Sequence, residues 1–549
     1  MHILNHKIRP ATAFLAALVL ALHAAPQLVY PFGHDQGIFS ACGEVIRRGG
    51  VPIRDCFESK GPAVMVLYAL AMSIAPTTVT VHAFTLVWQA LTALLVGLAA
   101  RMMFHRWAAW PAAAAYWLMY AGIHFWSMNQ AETFTNLFIV SSVLCAWQGG
   151  RTQGSSRAAW LAMSGISAGV LLWFKYTFAL QVLAIGAGVL AQSWWQARTL
   201  RGTAPRFAPF VVGGLGVNAS VLGWFAAVGG LPALVEQFLI FRELFPLGPP
   251  RTLPEIIQML WRFTDNGADL TADYKPTVAQ WTLLGGGFPA LLMLGAIGAL
   301  WGIQPSLAGT TRDRRFASLR VWYWVSLFVA GLVVVAVQAK YVQYHFTILH
   351  PSLAVLSGAG VAVGAQALQR SGYRRVWGTS IAALTLAAFV PLMVRMWPWM
   401  RDTYINVVVE RKSLRAIHEE SRVAAQLYIA DYIRQTTNPA DTISIFGDAP
   451  WVYVLSERRN ATRFPFADVW APAHGSWTNA TFGKQFFEQI AAHPPKLFIL
   501  TADDYPWIGV RHIDNWKYQK PLHEFVESNY CYEAEIGPFL VFRRRTEGS

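Results

Sequence analysis

Charge is scarce in this chain. Asp, Glu, Lys and Arg make up 13% of 549 residues, about half the ~25% of an average soluble domain. Cysteine is scarcer, with four in all. There is no CxxC pair and no HExxH, so a zinc ribbon, a dithiol redox site and a zincin are excluded. A phosphate-cradling glycine-rich loop is also missing. Basic residues outnumber acidic ones, 44 to 30, but the arginines sit in short loops between apolar runs. That pattern orients a membrane protein and does not build a nucleic-acid module. What the sequence has in excess is apolar: 54% of residues are hydrophobic.

The apolar runs have the length of membrane spans, ~20 residues each. We place them near 11–30, 79–100, 108–125, 131–149, 157–174, 177–195, 207–229, 283–303, 320–338, 344–366 and 376–397. The first run could also be a cleavable signal peptide; its length favours an uncleaved helix. A shorter run, 63–76, ends at Pro76 and reads as re-entrant or juxtamembrane. With the N-terminus in the cytoplasm and 63–76 uncounted, every arginine-rich loop falls inside, from Arg101 and Arg106 to Arg374 and Arg375. Counting 63–76 as a span would put these clusters outside, against the positive-inside rule.

The organisation is therefore two-part. Residues 1–397 form a transmembrane domain of about eleven spans with outer loops at 31–78 and 230–282, and residues 398–549 form a soluble domain. In the tail we expect helices at 414–434, 449–458 and 476–493, strands at 442–447 and 495–500, and a hairpin over 532–542. Alternating strands and helices give a small α/β domain.

The outer side gathers the polar corners: loop 31–62, Asn129 to Glu132, Lys175-Tyr176, loop 230–280 and Gln338 to His345. Ionisable groups at the membrane edge are functional candidates. Loop 31–62 should hold a short helix, Gln36 to Arg48, stopped by Gly49-Gly50, with Asp35 at the N-cap. Glu44, Arg54, Asp55, Glu58 and Lys60 share that loop. Cys42 and Cys56 are in it too, and their pairing is left open. A second amphipathic stretch runs from Glu255 to Phe263.

Asp35, the Gly49-Gly50-Val51-Pro52 turn, Asp55 and Lys60-Gly61-Pro62 resemble the first outer loop of GT-C glycosyltransferases. The branch is that of the protein O-mannosyltransferases and the lipid A aminoarabinose transferase. Softer matches are Glu132 opening a span, Tyr341 to His345 before a late span containing Pro351, and Ala449 to Pro465 in the tail. Two positions depart from the pattern: Asp35-Gln36 stands where several relatives have Asp-Glu, and Lys60-Gly61-Pro62 stands for Lys-Pro-Pro.

The resemblance implies a sugar donor on a polyprenyl phosphate and inverting transfer to an acceptor hydroxyl on a glycan, lipid or protein of the cell envelope. Arginine- and alanine-rich usage points to a multi-pass protein of a bacterial inner membrane, and the charge bias of the loops puts the site and the tail on its periplasmic side. Such a reaction needs a base and cations for the leaving phosphate. Asp35 is the expected base, with Glu132 as the runner-up for that role or as the group that positions the acceptor. Lys60, Lys175, His345, Lys340 and Arg54 are the candidates for the donor phosphate. Glu44, Asp55 and Tyr344 are the candidates for acceptor or sugar. No metal is required on this reading, although Asp35, Glu132 and Asp55 could hold a divalent ion. A transporter would place charges mid-span on broken helices. An O-antigen polymerase or ligase would lack the folded tail.

Overall fold

The computed structural model describes residues 10–123, 125–244, 252–256, 287–303, 317–338, 341–369, 372–394, 397–421, 423–467, 480–502, 513–516 and 519–545. Each expected span coincides with an apolar helix. These are Pro10–Ala24, Thr78–Met103, Ala109–Ala121, Ala131–Arg151, Gly154–Val170, Ala179–Ala197, Leu200–Ala227, Gly287–Gly302, Ala317–Gln338, His350–Leu368 and Tyr373–Val394. Among the described residues six helices are long and apolar enough to cross a bilayer on length and composition alone. The others fall short in length or apolarity.

Large apolar side chains such as Val87, Leu94, Leu183 and Leu215 lie exposed on the outer faces of these helices, as lipid contact requires. Inside, small residues let backbones touch. A Cβ on Gly165 would fall 1.9 Å from the Phe210 carbonyl, and one on Gly213 would fall 2.2 Å from that of Ala162. The helix Pro62–Met72 has 11 residues, roughly 16 Å of rise. That is half of a ~30 Å hydrocarbon core, so it does not span.

Among the described residues the C-terminal domain carries one five-stranded sheet in the order β2-β1-β3-β5-β4. The strands are β1 (Thr442–Phe446), β2 (Arg459–Asn460), β3 (Leu497–Thr501), β4 (Tyr530–Ile536) and β5 (Phe539–Arg544). β2, β1 and β3 run parallel; β5 is antiparallel to β3 and makes the expected hairpin with β4. Alternation along the strands divides the core. Ile443, Ile445, Leu497 and Ile499 pack on Ile429, Ile433 and Val452. Phe498 and Leu500 join a cluster with Phe482, Phe486, Leu522 and Val526.

Several boundaries differ from expectation. The helix expected over 414–434 is two, Leu414–Glu419 and Ala424–Thr436. The two-residue β2 and the helix Lys520–Asn529 were not anticipated; β2 is too short for its pattern to register. Most of the Glu255–Phe263 stretch lies outside the described residues, as does Lys340.

Candidate active site

The first polar loop folds as two short helices, His34–Arg47 and Pro62–Met72. They pack with the Phe39 and Tyr68 rings 5.4 Å apart. Gly43 sits where a Cβ would lie 3.0 Å from the Ala69 backbone nitrogen. The first helix starts two residues earlier than expected, at His34, and Gly33, not Asp35, is its N-cap. Gln36 is the reason. Its side-chain oxygen accepts the Gly33 N–H, while its amide donates to the carbonyls of Phe125 at 2.6 Å and Met128 at 2.7 Å. An ionised Glu could not donate those two bonds. Asp35 is thereby released from capping. At the other end Arg48 closes the helix and Gly49 turns with φ +87°, the conformation glycine tolerates. Cys42 and Cys56 form a disulfide with Cα atoms 5.2 Å apart, tying the helix to the segment that leads to Lys60.

Lys60 is buried. Its Nζ lies 3.2 Å from Asp35 Oδ1 and 3.7 Å from Glu58 Oε1, over the Phe39 ring at 4.8 Å and the Tyr344 ring at 5.9 Å. The Gly61 N–H donates to the Phe174 carbonyl at 2.9 Å. A Cβ at Gly61 would fall 2.1 Å from the Trp173 carbonyl oxygen. Proline could do neither job, which accounts for glycine at this departure from Lys-Pro-Pro. The contact draws Lys60 to the corner that carries Lys175. Gln237 closes the other side, its amide bonding the carbonyls of Glu58 and Lys60.

Lys175 is also buried. Its Nζ donates to Glu132 Oε1 at 2.8 Å and to the side-chain oxygen of Gln338. Glu132 lies in the first turn of Ala131–Arg151. The second oxygens of Glu58 and Glu132 are buried with no hydrogen-bond partner among the described residues. Tyr344 hydrogen-bonds Asp35, and its ring stacks edge-on with His345, 4.5 Å between centroids. Asp35, Lys60, Glu132, Lys175 and Tyr344 therefore meet in one cluster built from the ends of separate helices.

The electrostatics are coupled. Burial would raise the Asp35 carboxyl. The Lys60 ammonium, then His34, with hydrogen bonds from Lys60 and Tyr344, outweigh it and lower the group to about 2. Burial likewise would lower Lys60, but Asp35, Glu58 and Glu132 together hold it above its usual value. At Lys175 burial prevails over Glu132, with Lys60 adding repulsion, and the amine is lowered. Two lysines of unequal strength thus face three carboxylates.

Other candidates stand elsewhere. Arg54 is half exposed and pairs with Asp55, bonding the Val228 carbonyl with its remaining arm. Glu44 lies at the far end of the first helix, paired with Arg47 and Arg48. Asp55 is remote from Asp35 and Glu132, and among the described residues no three acidic, histidine or cysteine side chains converge as a metal site. Glu58, Gln237 and Gln338 were given no role from sequence. Glu58 was signalled by its place two residues before Lys60, whereas the glutamines carry no signal that separates them from packed amides.

Near the corner that carries Lys175 lies an apolar groove of about 520 Å³, lined by Pro62, Val66, Phe138, Phe174, Val221 and Trp224. Pro62 is two residues from Lys60, and Phe174 adjoins Lys175.

The described elements form an apolar helical bundle with the cluster at its helix ends, roofed by two short loop helices and a small sheet domain. The chain is similar to the crystal structure of ArnT from Cupriavidus metallidurans bound to undecaprenyl phosphate, with a TM-score of 0.56 and 13% identity over 97% of both chains. It is similar also to the apo state of that protein, with a TM-score of 0.54 and 13% identity over 97% of this chain and 98% of the other. No family model matches the sequence, and no curated protein matches it.

Proposed function

We propose that the protein is an inverting glycosyltransferase that moves a sugar from a polyprenyl phosphate to a hydroxyl of a cell-envelope glycan, lipid or protein. The site and the tail face the periplasm of a bacterial inner membrane, with residues 1–397 carrying the chemistry and 398–549 covering it. The observation that carries this reading is the juxtaposition of Lys60 and Lys175 with the apolar groove. A lipid phosphate needs both, cations for its head and a dry channel for its chain. The bound lipid in the similar ArnT structure is of that chemical class.

The donor phosphate seats between the two ammonium groups. Lys60 turns from Asp35 toward it, and Lys175 stays fixed by Glu132 and Gln338. The acceptor oxygen attacks the anomeric carbon from the side opposite the phosphate. The carbon–phosphate-oxygen bond breaks, and the proton of the hydroxyl passes to Asp35. The polyprenyl phosphate leaves with its charge against the lysines. In the resting protein Asp35 is too weak a base for this. Once the phosphate shares Lys60, burial is less opposed and the carboxylate gains basicity. Lysines do here what a divalent ion does in diphosphate-using enzymes, so no metal is required.

Asp35→Asn tests the reading. Base catalysis contributes ~10²–10⁴-fold, so transfer of radiolabelled sugar from a polyprenyl-phosphate donor should fall by about that factor while the protein still binds the lipid. A normal rate in this variant removes Asp35 as base. Binding of polyprenyl phosphate unaffected by Lys60→Ala and Lys175→Ala together removes the donor assignment.

A further inference from the structure

The turn that leads into the helix Ala131–Arg151 buries more polar groups than its own structure uses. Within residues 130–136, five side-chain atoms are buried and have no hydrogen-bond partner among the described residues. They are both amide atoms of Gln130, the second oxygen of Glu132, the Thr133 hydroxyl and the Asn136 oxygen. Gln130 is fully buried. A buried amide without partners destabilises a fold, so its retention calls for a ligand.

The turn itself is fully engaged. Gln130 occupies the N-cap position, yet its side chain does not cap the helix; its carbonyl accepts the N–H groups of Thr133 at 3.0 Å and Phe134 at 3.2 Å. The Met128 carbonyl takes the Gln36 amide at 2.7 Å. The Asn129 carbonyl takes the Tyr68 hydroxyl at 3.2 Å, and the Asn129 side chain bonds the His82 ring at 2.7 Å and Tyr120 at 3.3 Å. These bonds hold Asn129 at φ +58°, a conformation uncommon outside glycine. The backbone is thereby fixed, and the amide of Gln130 is the group left over.

This turn is part of the wall of the lysine cluster. Gln36 and Tyr68, which grip residues 128 and 129, come from the helix that carries Asp35 and the helix that follows Lys60. Lys175 grips Glu132 Oε1 at 2.8 Å and leaves the second oxygen unbonded. Gln130 lies between the two grips. With the donor phosphate between Lys60 and Lys175, the sugar attached to it lies beside the Glu132 turn. An amide offers an acceptor and a donor side by side, which matches two adjacent ring hydroxyls. A carboxylate oxygen accepts a third. Glu58 and Glu132 disfavour a carboxylated sugar through like-charge repulsion.

We propose that Gln130 reads the donor sugar: its amide binds two adjacent hydroxyls of the sugar carried on the polyprenyl phosphate, beside a hydroxyl held by Glu132. This rests on the glycosyltransferase reading above and narrows the donor to a neutral sugar with free vicinal hydroxyls.

The test measures equilibrium binding to the full chain in lipid nanodiscs. The ligands are undecaprenyl phosphates bearing glucose, mannose, galactose or arabinose. Undecaprenyl methyl phosphate, equal in charge and without a sugar, is the reference. At least one sugar should bind about tenfold or more tighter than the reference, and in Gln130→Leu and the near-isosteric Gln130→Met that ratio should fall to about twofold or less. Because the amide makes no bond within the protein, the melting temperature of both variants without lipid should be unchanged or higher. A packing role would lower it, so loss of the ratio together with a lower melting temperature in both variants overturns the assignment. Retention of the ratio in either variant overturns it as well. If the wild type binds the reference but no sugar more tightly, the sugar subsite alone falls. If it binds neither the reference nor undecaprenyl phosphate itself, the donor reading falls and the subsite with it.

Discussion

Asp35 and Lys60 hold each other in opposite protonation states, and that pair sets the pH behaviour of the site. The folded Asp35 carboxyl lies at about 2 against an ordinary 3.8. Its folded value is the lower one, so its contribution to stability is present above pH 4 and is lost as pH falls toward 2. A displacement of that size corresponds to about 2 kcal/mol. In catalysis the two kinetic profiles should separate. kcat/KM reports the free enzyme, so it should show no acid limb from Asp35 above pH 4. kcat reports the donor-bound enzyme, where Lys60 is shared, and its acid limb should lie at higher pH. Profiles with coincident acid limbs would mean that Lys60 does not leave Asp35. Asp35 and Lys60 themselves were legible in the sequence because ionisable groups are conspicuous in so apolar a chain. Gln237 and Gln338 were not, because an amide near a span end has the same appearance whether it caps, packs or bonds a site residue.

The elements that present these residues are short, and each depends on one close contact. Gly61 joins the loop to the Trp173–Phe174 corner, where a methyl group would overlap a carbonyl oxygen. Gly61→Ala should cost about 1–3 kcal/mol and separate Lys60 from Lys175, seen as a lower melting temperature together with weaker binding of polyprenyl phosphate. The disulfide acts on the same loop. It closes a segment with a sequence separation of 14, for which loop-closure entropy gives about 3 kcal/mol. Replacing Cys42 and Cys56 with serine should lower the melting temperature, and dithiothreitol should do the same to the wild type but not to the variant. The helix over this loop was legible in outline from its glycine stop. Its start was misplaced because an aspartate before a polar run is the usual capping signal, and the competing cap by Gln36 needs carbonyls from residues 125 and 128 to make sense.

At the scale of the molecule, three chain segments lock together at Arg463. Its guanidinium bonds Glu236 at 2.6 Å and Gln485 at 2.7 Å. It also lies over the Phe57 ring at 5.5 Å, and its carbonyl accepts the Phe57 N–H at 2.6 Å. The first loop, the helix Leu231–Leu244 and the sheet domain are joined at one side chain. Arg463→Glu should cost roughly 2 kcal/mol at this seam. Faster limited proteolysis between the membrane helices and the sheet domain, with reduced sugar transfer, is the expected result. An unchanged digestion pattern would mean that the domains are held by their apolar contacts alone.

By itself the sequence determined which segments are apolar helices, which ends carry polar corners, that 63–76 is too short to span, and that a strand–helix domain follows. These are local properties, fixed by the length and periodicity of contiguous residues in lipid or water. Only the tertiary structure decided that the corners at 35, 60, 132, 175 and 344 meet while Arg54, Glu44 and Asp55 lie elsewhere. It also decided that Asp35 pairs with a lysine and does not cap its helix, and that Cys42 reaches Cys56. Convergence of side chains three hundred positions apart depends on how helices pack against one another. That is governed by small-residue contacts and amide hydrogen bonds whose partners are remote in the chain.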